Sequence, residues 1–284
     1  MNPRRAAILR EMGYTPLWRL RGLAETVPAA APQPAVEPAP PGLPAREEAP
    51  PAQVSMAPPS RAEVPPAIVR PARPAVAPAG VPAAAQPDPQ RDARIATLDW
   101  DALDAEITAC RACGLCERRK QAVPGVGDRA AEWLFVGEGP GAEEDERGEP
   151  FVGQAGKLLD AMLAALGLAR GRGVYIANAV KCRPPGNRTP EAPEIAACNP
   201  FLQRQIDLLQ PRIIVALGRP AAQALLGSEV KIGEVRGKVL RHGSIPLVVT
   251  YHPAYLLRNL PDKAKAWADL CFARDTLRRL GADA

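Results

Sequence analysis

Six cysteines stand at positions 110, 113, 116, 182, 198 and 271. Cys110 and Cys113 are spaced C-R-A-C, which lets two thiolates reach one metal centre from a single turn of chain. Cys182 in KCRPP and Cys198 in EIAAC would complete four sulfurs, and that donor set suits either a zinc ion or an iron-sulfur cluster. The apolar residues at the start of the chain never form the unbroken run of a secretory signal, so a disulfide framework is not expected.

A second constellation, LFVGEGPGAEEDERGEPFVGQAG, runs from Leu134 to Gly156. Gly137 and Gly139 satisfy the opening of a dinucleotide fingerprint, but Ala142 stands at its last position and Pro140 sits inside the turn. Glu138, Glu143, Glu144 and Asp145 would crowd a pyrophosphate with negative charge where a helix start should welcome it. A Walker-type loop is excluded because no Gly-Lys-Ser/Thr follows. Two readings remain: a tight turn with solvated acids, or a backbone platform for a neutral, flat ligand with a carboxylate nearby. Of the two histidines, His242 lies in RHGS, where a hairpin or loop and solvent exposure are expected, whereas His252 follows an apolar run and opens HPAYLLR.

The elements that must position these groups are legible as runs. WLFVGE (133–138), VYIANAV (174–180), RIIVALG (212–218) and PLVVTYH (246–252) have the continuous apolar character of buried strands, and helical patterns cover 155–167, 193–209 and 221–227. This alternation predicts an α/β fold, a three-layer α/β/α sandwich around a four-stranded parallel sheet, with ligands beyond the carboxyl ends of the strands. Those ends carry Glu138, Asn178, Gly218 and His252. Nineteen of the 34 prolines fall between Val27 and Gln90, in a stretch of Pro, Ala and Val too poor in buriable surface to offset its ordering entropy. The chain is therefore divided into a basic amphipathic segment (1–23), a disordered Pro/Ala-rich linker (24–94) and one folded domain (95–284). The first segment, with Trp18 among five arginines, suits docking to its own domain, a protein partner or DNA, a transit role, or an inert tail. No stretch is long enough to span a bilayer, and the net charge of +5 permits phosphate binding.

Taken together, CRACGLC, FVGEGPGAEED, GEPFVGQAG, YIANAVKCRPPGNRTP, Cys198 and HPAYLLR resemble the family 4 uracil-DNA glycosylases, the iron-sulfur branch of that superfamily. The resemblance covers about residues 97–280. It implies excision of uracil from single- or double-stranded DNA by a monomer in the bacterial cytosol, and a 4Fe-4S cluster on Cys110, Cys113, Cys182 and Cys198. Cys116 is not a ligand position in the family pattern, and Cys271 reads as an inert thiol of the C-terminal helix. The same resemblance lays Phe151 flat against the base, pairs Asn178 with the uracil edge and sets His252 against uracil O2. Glu144 is associated with exclusion of the thymine methyl. Other branches place an aspartate where this chain has Gly139, so the reacting water falls to backbone or to Glu138, for which electrostatic support is expected. In HPAYLLR, Leu256 or Leu257 would enter the vacated stack while Arg258 meets a phosphate, with Arg188, Lys181 and Arg183 as further DNA contacts. Two rivals share the fold, a covalent uracil binder and a non-enzymatic DNA-binding module. The GEGPG loop and a post-strand segment without histidine argue against the first, and intact Phe151, Asn178 and His252 against the second.

Overall fold

In a computed structural model of the chain, residues 88–282 are described. The expected N-terminal segment and most of the expected linker lie outside the described residues. The described residues reach back past the expected linker boundary at residue 94 and open with helix α1 (Pro89–Ile95). The reason is local: Asp88 caps its first amides, proline occupies the first turn, and Ile95 is buried at the far end. Helix α2 (Trp100–Ala109) follows, capped by Asp99 and ending at Cys110.

The sheet has six strands, two more than expected. In chain order they are β1 (Val126–Gly127), β2 (Trp133–Gly137), β3 (Val174–Asn178), β4 (Ile213–Leu217), β5 (Leu240–His242) and β6 (Ile245–Thr250). Their spatial order is β1-β3-β2-β4-β6-β5. The four central strands are parallel and coincide with the four apolar runs, while β1 and β5 pair antiparallel at the edges. His242 thus lies in an edge hairpin as expected, but its ring is engaged by Leu225 O (2.7 Å) and Gln203 Oε1 (3.1 Å).

Alternation along each central strand divides its side chains between two cores. Leu134, Val136, Ala177, Ile214 and Val249 pack beneath α5 (Ala192–Leu209) and α6 (Arg219–Leu226). Phe135, Ile176, Val215 and Val248 pack on the opposite face, beneath α4 (Gln154–Ala165) and α9 (Asp262–Ala282). These are the three expected layers. Three short helices complete the order: α3 (Ala142–Arg147), α7 (Ile232–Val235) and α8 (Pro253–Arg258). The chain leaves β2 toward one neighbour and later returns to its other side, so the crevice beyond β2 is the topological switch point where such sheets take ligands. Among the described residues no helix is long and apolar enough to cross a membrane.

Candidate active site

A cavity of about 400 Å³ opens at that switch point. Three strand ends supply its floor: Glu138 and Gly139 after β2, Asn178 at the end of β3, and His252 after β6. Glu144, Phe151, Arg188, Thr189 and Arg258 join them in the lining. The structure therefore gathers most of the expected pocket residues around one space.

Gly137 shows why no larger residue stands at the strand end. A Cβ there would meet Asn178 Oδ1 at 2.4 Å and the Phe151 ring at 2.5 Å, so the amide and the ring share the volume above the glycine. Asn178 is only 2% exposed, and its Oδ1 has no hydrogen-bond partner among the described residues. A buried acceptor left open costs about 1–3 kcal/mol, which marks this oxygen as able to receive a donor from a ligand. The Phe151 ring lies 5.4 Å from the His252 ring at 28°, and together they leave a flat apolar wall.

His252 precedes α8 as its N-cap, and its Nδ1 accepts from the Ala254 amide at 3.1 Å. That bond places the ring proton on Nε2. Burial pulls the imidazole down to about 4, against opposing and reinforcing fields from Glu144 and Arg258 respectively, so the ring is a neutral donor at physiological pH. Glu138 is displaced the other way: burial raises its carboxyl, moderated by the neighbouring Thr189 hydroxyl and by the charge of Arg219. Gly139 carries no side chain, and a Cβ there would stand 2.7 Å from Val180 Cγ2.

Glu144 lines the cavity, but its carboxylate faces the protein. One oxygen accepts from the Gly141 amide (3.0 Å), and the other from the Val152 and Gly153 amides (3.0 Å each). It ties the start of α3 to the loop bearing Phe151.

Several expected DNA contacts are redistributed. Leu256 is 1% exposed and turned into the fold, so it cannot enter a base stack, whereas Leu257 is 41% exposed. Successive helical residues point about 100° apart, and only one of the pair can face outward. Lys181 is likewise 1% exposed, donating to Asn178 O (2.9 Å) and Gln205 Oε1 (2.6 Å), which removes it from any phosphate. Arg188 reaches the cavity, but its guanidinium is paired with Glu194 at 2.6 and 2.8 Å. Arg183 bonds Asn187 Oδ1 at 2.7 Å. Arg258 lines the mouth and pairs with no carboxylate among the described residues. Sequence patterns gave no sign of Thr189 as a partner of Glu138, although it sits in the quoted GNRTP.

Away from the cavity, Cys182 and Cys198 are buried in a cluster with Ile95, Leu103, Ile107, Leu115 and Phe201, and Cys110 and Cys113 pack against it. Their sulfurs are approached by nitrogen donors: Arg119 Nη1 to Cys182 (2.8 Å), Lys181 N to Cys198 (3.4 Å), and Ala112 N (3.5 Å) and Arg91 Nη2 (3.7 Å) to Cys110. Donors aimed at sulfur suit thiolates bound to a cationic group. Burial pushes the free thiols up, Cys182 to about 11 and Cys198 to about 12, so loading must release their protons. Among the described residues no three candidate ligands are grouped to hold a metal ion. Four thiolates are a donor set that both a zinc ion and an iron-sulfur cluster accept.

Comparison with known proteins agrees with this geometry. Residues 124–271 match the family model described as "Uracil DNA glycosylase superfamily". The chain is 47% identical over 170 residues to the type-4 uracil-DNA glycosylase of Pyrobaculum aerophilum, covering 57% of this chain and 86% of that protein. It is 47% identical over 165 residues to the type-4 enzyme of Archaeoglobus fulgidus (55% and 82% covered) and 48% over 155 residues to that of Thermotoga maritima (54% and 80%).

Proposed function

The chain belongs to the uracil DNA glycosylase superfamily, and we propose that the cavity beyond β2 is where it holds a uracil swung out of DNA. It is a uracil-DNA glycosylase of DNA repair, hydrolysing the bond between base and deoxyribose to leave an abasic site. The observation that carries the assignment of the cavity is the open, buried Oδ1 of Asn178 in the same space as a neutral His252.

Uracil presents an acceptor at O4, a donor at N3 and an acceptor at O2. Asn178 answers the first two, its amide nitrogen donating to O4 and its Oδ1 accepting from N3–H. Cytosine offers the opposite pattern and would leave the same buried atoms unpaired, which is the strongest form of rejection. Phe151 stacks on the ring. His252 donates Nε2–H to O2 and stabilises the charge that accumulates as the base departs as an anion. Glu138, close to the departing base, stabilises the positive charge developing on the sugar, and the hydroxyl of Thr189 orients its carboxyl. Leu257 fills the vacated stack and Arg258 meets a backbone phosphate.

Cys110, Cys113, Cys182 and Cys198 would hold a 4Fe-4S cluster. With the cluster held there, the four cysteines would tie the end of α2, the segment after β3 and α5 to one another through its iron atoms. The reading extends to a monomer of the bacterial cytosol; the net charge of +5 suits its DNA substrate.

The test is incubation of the iron-loaded protein with single- and double-stranded oligonucleotides carrying uracil, hypoxanthine, xanthine or cytosine at one site. Alkali-labile breaks at uracil and none at cytosine are expected. Equal cutting at cytosine would overturn the pairing given to Asn178. Binding without cutting would favour a non-enzymatic module, and a gel-stable adduct a covalent binder. Purified protein should be brown and contain about four irons per chain; a colourless, fully active protein with one zinc would overturn the cluster.

A further inference from the structure

Phe151 is held in a backbone conformation that an aromatic residue rarely adopts. Its φ is 57°, in the left-handed region. Such a residue persists only where its surroundings over-determine it, and strained residues concentrate at functional sites. The surroundings here are specific. On the far side of Phe151, Glu144 accepts from the amides of Val152 and Gly153. On the near side, Arg170 donates from Nη1 to Pro150 O (2.9 Å) and from Nη2 to Phe151 O (2.8 Å). Its Nε and Nη2 also bond Asp160 Oδ1 on α4, at 3.2 and 2.9 Å, which fixes the fork. Gly156 completes the grip, since a Cβ there would lie 1.7 Å from Phe151 O.

We infer that Arg170 is a positioning residue for base excision, clamping the peptide of Phe151 from below so that the ring is set before the base arrives. The inference rests on reading Phe151 as the stacking ring. Arg170 touches neither the cavity nor the base. Its influence passes through two backbone carbonyls, and the geometry requires a planar donor with several N–H groups: lysine has the charge but not the fork. A ring displaced by about 1 Å loses alignment with His252 and Asn178, and misplacement of that size costs up to about a hundredfold in rate.

The test is a double-mutant cycle between Arg170→Ala and Phe151→Ala, read by kcat/KM on uracil oligonucleotides and by inhibition with free uracil. Expected results are a loss of about tenfold or more for R170A with weaker uracil inhibition, incomplete rescue by R170K, and no further loss when R170A is added to F151A. Iron content should equal that of the wild type. Asp160→Asn, on an exposed face, should weaken the same two readouts to a smaller degree, which keeps the inference testable if R170A folds poorly. Loss in F151A with none in R170A or D160N overturns the role of Arg170 alone. Activity unchanged in F151A overturns the stacking reading and the clamp with it. An R170A effect equally large in the F151A background shows general destabilisation and overturns the clamp.

Discussion

The base cavity and the cysteine cluster are joined by one short piece of chain, Asn178 to Cys182, yet they are organised in opposite ways. In the cavity the protein completes its own architecture first: Glu144 and Arg170 use their polar atoms on backbone, and what remains open is a single acceptor on Asn178. In the cysteine cluster the nitrogen donors already point at sulfur, while the thiols, raised by burial, keep their protons until something replaces them. One region is fixed by its own hydrogen bonds, and the other holds four sulfurs for which the proposed cluster would replace the protons. Lys181 lies between them, its amide on Cys198 Sγ and its ammonium on the carbonyl of Asn178.

The sharpest way to break this contrast is to remove the chemistry without touching the architecture. His252→Ala should lower the single-turnover rate by about 10²–10³-fold, the usual cost of losing one donor to a developing anion, with iron content unchanged. Asn178→Asp should act similarly on uracil, because a carboxylate cannot donate to O4. The reverse experiment removes the ligand instead. Cys182→Ala should lose the iron and lower the melting temperature, and activity should fall with it, because Asn178 lies four residues away on a shared strut; a colourless C182A with full activity would show the regions to be independent.

A smaller effect separates the two titratable residues of the cavity by pH. Glu138 is raised and His252 lowered to about 4, so kcat/KM should fall as acid protonates Glu138, above the ordinary carboxylate range, with no inflection near 6.5. Glu138→Gln should lower the plateau and flatten that limb. For stability the sign is likewise set: a histidine with a depressed folded pKa contributes fully above about 6.5, and that contribution is lost as pH falls toward 4. The smallest change is at the DNA face. Leu257→Ala should weaken turnover on double strands more than on single strands while leaving the melt unchanged, and Leu256→Ala should do the opposite, costing about 2–5 kcal/mol of stability as a core truncation.

The central strands were readable because residues buried on both faces make continuous apolar runs, as in IIVAL and VYIAN. The edge strands were not, since β1 is two residues long and β5 reads Leu-Arg-His, too short and too polar to show a period. Phe151, Asn178 and His252 stood out through motifs that end strands or follow them. Lys181 misled because burying a lysine is decided by partners distant in sequence, here Gln205, and no local pattern announces it. Arg170 was invisible for the same reason: its partners at Pro150 and Phe151 are backbone atoms about twenty residues upstream. The start of α1 was hidden for a simpler cause, as the proline-rich text runs without a break into a helix capped by Asp88.

Gly139 has a consequence for how this sequence can change. A carboxylate introduced there would carry its Cβ to 2.7 Å from Val180 Cγ2, so Gly139→Asp requires Val180 to shift or to become smaller. Val180 also belongs to the cluster that packs Cys182 and Cys198, and trimming it loosens the thiol shell. The two changes are thereby coupled, and a path to a different way of handling water passes through a variant whose cysteine cluster is less tightly packed.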